Sequence, residues 1–203
     1  MTPAGMATRS LLHVVQRDHV EPTPWRNGGG TTQELLVWPQ PEGWQLRVSV
    51  ARIDRDGPFS AFPGVRRWFT VLEGAGVALR WPTRTRRLTR GDEGVTFDGA
   101  EAPECQLLHG ATTDLNVMWD ARMPVHGVQR VIPGMAWSAS AQWRGVYVDA
   151  ACTLQVGSGV DAELLALPRG ALVWRDHALT DAWCIRSPEP LRAWWMWASP
   201  VQP

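Results

Sequence analysis

The sequence predicts an all-β protein, and three observations carry that expectation. Its 19 glycines and 16 prolines are spread along the whole 203-residue chain instead of gathering in one linker. Between them lie short runs in which apolar and polar residues alternate with period 2, the pattern of half-buried strands. Only one stretch of any length, Asp120 to Val131, reads as helical, and Pro124 and Gly127 interrupt it. Many short strands with turn signals every several residues make a sandwich or a barrel.

The elements follow in order. Residues 1–10 read as a loose tail. The apolar run Leu11 to Val15 is too short for the core of a signal sequence or for a membrane span, so cytosol is the expected compartment. Glu34 to Trp38 is the first strand candidate. Trp44 to Val50 is the clearest: Trp44, Leu46, Val48 and Val50 fall on one face, and Gln45, Arg47 and Ser49 on the other. Trp68 to Leu72 and Val77 to Trp81, on either side of Glu73-Gly74-Ala75-Gly76, read as a hairpin. Val95 to Phe97, Cys105 to Leu108 and Leu115 to Trp119 complete the first half. The second half continues with Gly145–Val148, Thr153–Val156, Ala162–Leu167, Ala171–Trp174, Ala182–Ile185 and Leu191–Trp197. A short internal echo, Leu88-Thr89-Arg90-Gly91 against Leu167-Pro168-Arg169-Gly170, fits two similar β lobes joined near residues 120–135.

Composition narrows the function. Twenty basic residues balance twenty acidic ones, which argues against nucleic acid as a partner, because backbone binding needs a cationic excess. Every basic residue is arginine, so lysine Schiff-base chemistry and a Gly-Lys-Ser/Thr phosphate loop are absent. Cys105, Cys152 and Cys184 have no CxxC spacing and suit a reducing compartment. Thirteen tryptophans read first as core filler, since large aromatics favour strands. In Trp194-Trp195-Met196-Trp197 alternation sends neighbours to opposite faces, so one face is expected to pack on the other lobe or on a partner subunit. His13, His19, His109, His126 and His177 form no HxH or HExxH pattern, so no metal or other cofactor is expected, and no GxSxG nucleophile is present.

Three segments carry candidate chemistry. In Pro24-Trp25-Arg26-Asn27-Gly28-Gly29-Gly30 the glycines free the backbone for close approach, and successive N–H groups would make an anion nest. Arg26 offers a planar fork for a carboxylate and Asn27 both donor and acceptor; the alternative is a plain tight turn. Arg47 and Ser49 share the polar face of their strand; if that face lines a barrel, the arginine needs an anionic partner. The loop Asp56 to Gly64 presents Phe59 and Phe62, either at a pocket mouth or as anchors to the core.

Together these motifs resemble the HutD/Ves family of the cupin superfamily. The resemblance rests on Pro24 to Gly30 with Thr32 and Glu34, and on Arg47-Val48-Ser49-Val50-Ala51. Asp56 to Ser60 with Phe62-Pro63-Gly64 follows, then Leu72-Glu73-Gly74, Phe97-Asp98-Gly99 and Asp114 to Met118. They occur in family order over residues 11–123. Three positions depart from the pattern: Arg66 stands where an acidic residue is common, Thr113 where arginine is common, and His109 where no histidine is typical.

The resemblance implies a bicupin, two jelly-roll-like barrels, with a first lobe over 11–123 and a more divergent second lobe over 124–203. It implies a regulatory protein linked to histidine utilisation that binds a small anionic metabolite of the urocanate or formylglutamate class without turnover. Site candidates carried by the family motifs are Arg26, Asn27, Glu34, Arg47, Ser49, Phe59, Ser60, Arg67 and Asn116. The alternative is a metal-independent isomerase or lyase with Glu34 as general base. Neither nucleic acid nor membrane is an expected partner; a homodimer fits the superfamily.

Overall fold

The computed structural model describes residues 12–177 and 180–201; the tail expected over 1–10 lies outside the described residues. Apart from two single 3-10 turns, every regular element among them is a strand. In chain order these begin with β1 (His13–Gln16), β2 (Thr23–Pro24), β3 (Gly30–Trp38), β4 (Leu46–Ile53) and β5 (Gly57–Pro58). Next come β6 (Val65–Glu73), β7 (Val77–Trp81), β8 (Arg84–Leu88), β9 (Val95–Asp98), β10 (Glu104–Leu107) and β11 (Thr112–Asp120). They continue with β12 (Val125–Arg130), β13 (Ala136–Trp137), β14 (Trp143–Val148) and β15 (Cys152–Val156). The last are β16 (Glu163–Leu167), β17 (Ala171–Arg175), β18 (Trp183–Arg186) and β19 (Ala193–Ser199). No helix among the described residues is long and apolar enough to cross a membrane.

The chain divides into two compact units, one of Gln16–Val128 with the segment from Ala198, the other of residues up to Val15 with Gln129–Trp197. In the first, a six-stranded sheet of order β2-β3-β4-β11-β6-β9 faces a four-stranded sheet of order β5-β10-β7-β8. The core between them joins Ile53, Phe69, Val71 and Phe97 of the larger sheet to Val77, Leu79, Leu88 and Cys105 of the smaller. In the second unit, β17, β14 and β19 lie in one sheet and β13-β18-β15-β16 make the other. There Val146, Val148, Val173 and Trp195 meet Leu154, Leu167, Trp183 and Ile185. Both cores are built from every second residue of their strands, as one-sided burial of a pleated sheet requires.

Two expectations are corrected. The stretch from Asp120 to Val131 is not a helix: Val125–Arg130 is a strand at the end of its sheet, beside β19. Inside a helix Pro124 would cost about 3 kcal/mol and Gly127 about 1 kcal/mol; in a strand starting after the proline neither cost arises.

The expected hairpin of Trp68–Leu72 with Val77–Trp81 does not form either. β6 pairs with β11 and β9, whereas β7 lies in the opposite sheet between β10 and β8. The glycines between them serve a crossing from one sheet to the other. Gly76 has φ +104°, and a Cβ there would lie 2.0 Å from the Leu88 carbonyl oxygen. The true hairpin partner, β8, is the run Arg84-Thr85-Arg86-Arg87-Leu88, whose polarity hid it from a hydrophobic-pattern reading.

Both faces of the tryptophan-rich β19 are covered: Trp194, Trp195 and Met196 are all buried. Trp195 stacks on Trp137 at 4.7 Å between centroids, and Trp194 lies under the Arg192 guanidinium at 5.2 Å.

Candidate functional site

The central strand β11 sets the site. It runs between β4 and β6, with Met118 opposite Arg47 and Arg67, Asn116 opposite Ser49, and Asp114 opposite Ala51. Period-2 alternation sends Asp114, Asn116 and Met118 to the same side as Arg47, Ser49 and Ala51. Those six residues line one cavity of about 390 Å³, within the usual range for a small-molecule site. Farther along the same face, Ile53, Phe69 and Val71 fill the core. The inward face is thus apolar over part of its length and polar at the cavity.

Two loops complete the wall. Residues 24–30 are held as a tight turn: the Trp25 N–H donates to the Gly30 carbonyl at 2.9 Å and the Gly28 N–H to that of Trp25 at 3.0 Å. The Gly29 N–H donates to Asn27 Oδ1 at 2.9 Å, and the Trp25 indole N–H to Thr32 Oγ1 at 2.7 Å. Gly28 takes φ +67°, and a Cβ on Gly30 would lie 2.1 Å from the Arg52 carbonyl oxygen. The glycines therefore serve the turn and close strand approach. The expected anion nest is not there, because the N–H groups of Gly28 and Gly29 already have acceptors.

The second loop docks by backbone bonds, from the Phe59 N–H to the Pro103 carbonyl at 3.0 Å and from the Phe62 N–H to that of Gly99 at 2.8 Å. Its Pro58, Phe59, Ser60 and Phe62 all face the cavity.

Eight of the nine sequence candidates line this cavity: Arg26, Asn27, Arg47, Ser49, Phe59, Ser60, Arg67 and Asn116. Glu34 stands outside the lining; its half-exposed carboxylate lies 2.5 Å from Arg47 Nε, although that N–H makes no hydrogen bond. Of the departures from the family pattern, Arg66 and His109 are exposed and Thr113 is buried, and none of the three reaches the cavity. Among the described residues, no three His, Cys, Asp or Glu side chains converge as a metal-ligand set.

Arg67 is the strongest feature. It is 5% exposed and forms no ion pair with any described residue. Its guanidinium lies 5.0 Å from the Phe59 ring centre, 5.2 Å from Phe97 and 5.7 Å from Phe62. One nitrogen donates to the Ser60 carbonyl at 3.3 Å, while Nε has no acceptor. Burial pulls its pKa down to about 10, with Asp114 opposing that and Arg47 adding to it.

Asp114 is the residue that the site list lacked. It is 2% exposed, and burial pushes its carboxyl up to about 8 despite the nearby charge of Arg67. The signal was available: alternation places it on the face of Asn116, two residues away. Trp25, Thr32, Phe62 and Met118 also line the cavity. Cys105, behind it in the core, is pushed up to about 12 by burial and by the charges of Asp114 and Asp56, so its thiol stays protonated.

The other unit holds a different arrangement of charge. Arg144 and Arg175 are paired across β14 and β17 and are 0% and 4% exposed. Asp181 bridges them, with Oδ1 at 2.8 Å from Arg144 and Oδ2 bonded to Arg175. Burial pushes the Asp181 carboxyl up, but the bonds from Arg175 and Arg144 outweigh it and hold it below its ordinary value. These inward arginines carry their own counter-ion.

Comparison with known proteins agrees with this architecture. A protein encoded in the 3′ region of hutC in Pseudomonas putida, 21.2 kDa and uncharacterised, is 33% identical over 112 residues, covering 54% of this chain and 59% of its own. Protein Ves of Citrobacter koseri is 36% identical over 96 residues, 46% of this chain and 50% of that one. The matched part thus spans 50–59% of the length of these relatives. The structure of HutD from Pseudomonas fluorescens SBW25 superposes with a TM-score of 0.81 at 24% identity, covering 95% of this chain and all of that one. An oxalate decarboxylase mutant from Bacillus subtilis superposes with a TM-score of 0.64 at 11% identity over 98% of this chain and 80% of its own, which marks the cupin-like fold. The HutD family model matches residues 17–183. By that match, this chain is a member of the HutD family.

Proposed function

We propose that this protein is a cytosolic metabolite-binding regulator linked to histidine utilisation, built as a bicupin with lobes over 11–123 and 124–203. In this reading the first-lobe cavity holds a small carboxylate of the urocanate or formylglutamate class without turning it over. The observation that carries it is Arg67, a buried guanidinium in the cavity wall with no ion-pair partner among the described residues. A buried cation without a counter-ion is costly, and an anionic ligand supplies what the fold leaves out. Phe59, Phe62 and Trp25 offer flat apolar walls in the same cavity, suited to the planar unsaturated body of urocanate. Association with a hut region in Pseudomonas putida supports the pathway.

Calorimetry with urocanate, formylglutamate and histidine tests this reading. One of the acids is expected to bind saturably at one per chain, with at least a tenfold loss of affinity in Arg67→Gln. Mass spectrometry after long incubation is expected to find the ligand unchanged. A product whose formation disappears in Glu34→Gln would establish the enzyme alternative instead. The Glu34 carboxylate, half-exposed and held beside Arg47, is poorly suited to act as a base in the cavity.

A further inference from the structure

Asp114 has no counterpart in the reading above, and its surroundings define what it can do. Its side chain is buried in the cavity wall and makes neither a hydrogen bond nor an ion pair with any described residue. The charged and titratable groups around it are few. From β6 comes Arg67, and from β4 Arg47, already beside Glu34 of β3. From β10 comes Cys105, whose thiol feels both Asp114 and Asp56, and from the 24–30 loop Arg26 lines the cavity. The remaining polar lining is neutral: Asn27, Thr32, Ser49, Ser60 and Asn116, with Asn116 Oδ1 lacking any donor among the described residues.

We propose that the cavity takes up its carboxylate ligand together with one proton, which resides on Asp114, so that Asp114 acts as a hydrogen-bond donor and limits the site to a single negative charge. The inference rests on the anion-binding reading, specifies its stoichiometry, and selects a monoanion such as urocanate over formylglutamate, whose two carboxylates are both ionised at neutral pH. Glu34 offsets Arg47 and Arg26 is exposed, which leaves Arg67 as the buried, unpaired cation among the described lining residues. An ionised Asp114 would put a second carboxylate around the same guanidinium, and two carboxylates sharing a site cannot both ionise cheaply. The balanced step is the Asp114 carboxylate plus a solvent proton plus the ligand anion, giving a neutral carboxylic acid beside the bound anion. Burial, against the opposing charge of Arg67, brings the Asp114 carboxyl to about 8 in the free protein, and a second anion raises it further.

Calorimetry with urocanate in buffers of different ionisation heat tests this between about pH 7 and 9, where its imidazole ring is neutral. Proton uptake is expected to rise from a small fraction toward one per ligand, with affinity falling about tenfold per pH unit above about 8. Asp114→Asn keeps a donor but has no titratable proton, and both the uptake and the pH dependence are expected to disappear. Binding without proton uptake, or uptake that persists in Asp114→Asn, overturns this inference alone. Failure of urocanate to bind at any pH overturns the anion-binding reading for this ligand, and the proton coupling with it.

Discussion

The same carboxyl makes a prediction that needs no ligand. Replacing Asp114 by Asn leaves the shape of the protonated side chain almost unchanged and removes its ionisation. The carboxyl titrates at 3.8 in a solvated reference and at about 8 in the fold. Between those values the native state holds a proton that the unfolded chain has lost, so stability falls as pH rises from about 4 and levels off above about 8. Four pH units at about 1.4 kcal/mol each give an upper limit of about 6 kcal/mol. That is a large part of the 5–15 kcal/mol typical of a whole domain, so water entering the cavity at high pH will cap the loss; a difference of at least about 2 kcal/mol is expected. The assay is urea unfolding of wild type and Asp114→Asn at pH 5 and pH 9, followed by tryptophan fluorescence. The variant is expected to gain on wild type by that amount between the two conditions. If the gap between the two proteins stays constant within about 0.5 kcal/mol, Asp114 is not the buried acid described above.

Further predictions come from other parts of the chain. Asp181→Asn removes the counter-ion shared by Arg144 and Arg175 and should cost about 3–5 kcal/mol in urea unfolding; a loss below about 1 kcal/mol would mean the arginines find solvent. Gly76→Ala combines φ +104° with a Cβ 2.0 Å from a carbonyl oxygen and should cost several kcal/mol, whereas Gly43→Ala, at φ +72° with open space around it, should cost only about 1 kcal/mol. Equal losses in the two variants would remove the argument for a close sheet crossing at Gly76. Of the three cysteines, Cys105 and Cys152 are buried with thiols pushed up to about 12 and about 11, and Cys184 is partly exposed. An aromatic disulfide reagent should therefore label one thiol quickly in the native protein and all three only after unfolding.

The sequence was most legible where local pattern and tertiary role agree. The run from Trp44 to Val50 alternates cleanly, and the structure places a strand at Leu46–Ile53 with Arg47 and Ser49 on a common face. The crossing at Gly74–Gly76 was misread because two apolar runs around glycines look the same whether they pair with each other or lie in facing sheets. Only the long-range partners, β11 for β6 and β10 for β7, distinguish the two cases. β8 escaped notice because its arginines lie on an end strand, where charge guards the exposed backbone against pairing with other chains. In the site, motif residues located the cavity wall but not its electrostatics. Asp114 sits in a run, Thr112 to Trp119, that is buried on both faces, so alternation groups it with Asn116 but leaves open which face meets the cavity. The register against Arg47 and Ser49 supplies that.

The contrast between the two units says which inward arginines await a partner. Both place guanidinium groups on strands whose alternate residues build an apolar core, and both set them against aromatic rings. In the second unit the chain brings its own carboxylate, and Asp181 satisfies Arg144 and Arg175 together. In the first, Glu34 pairs with Arg47, and Asp114 lies near enough for its charge to be felt yet forms no ion pair with Arg67. If inward arginines were retained for stability alone, the same bridging solution would serve in both units, since an uncompensated buried charge costs more than a paired one. The first unit instead keeps a cavity of about 390 Å³ where that bridge would lie. An open cavity, an unbridged guanidinium and a carboxyl held neutral by burial belong together if the missing charge arrives from solution. A binding site obtains its affinity from such unfilled valences, and the stability given up to maintain them is returned when the ligand binds.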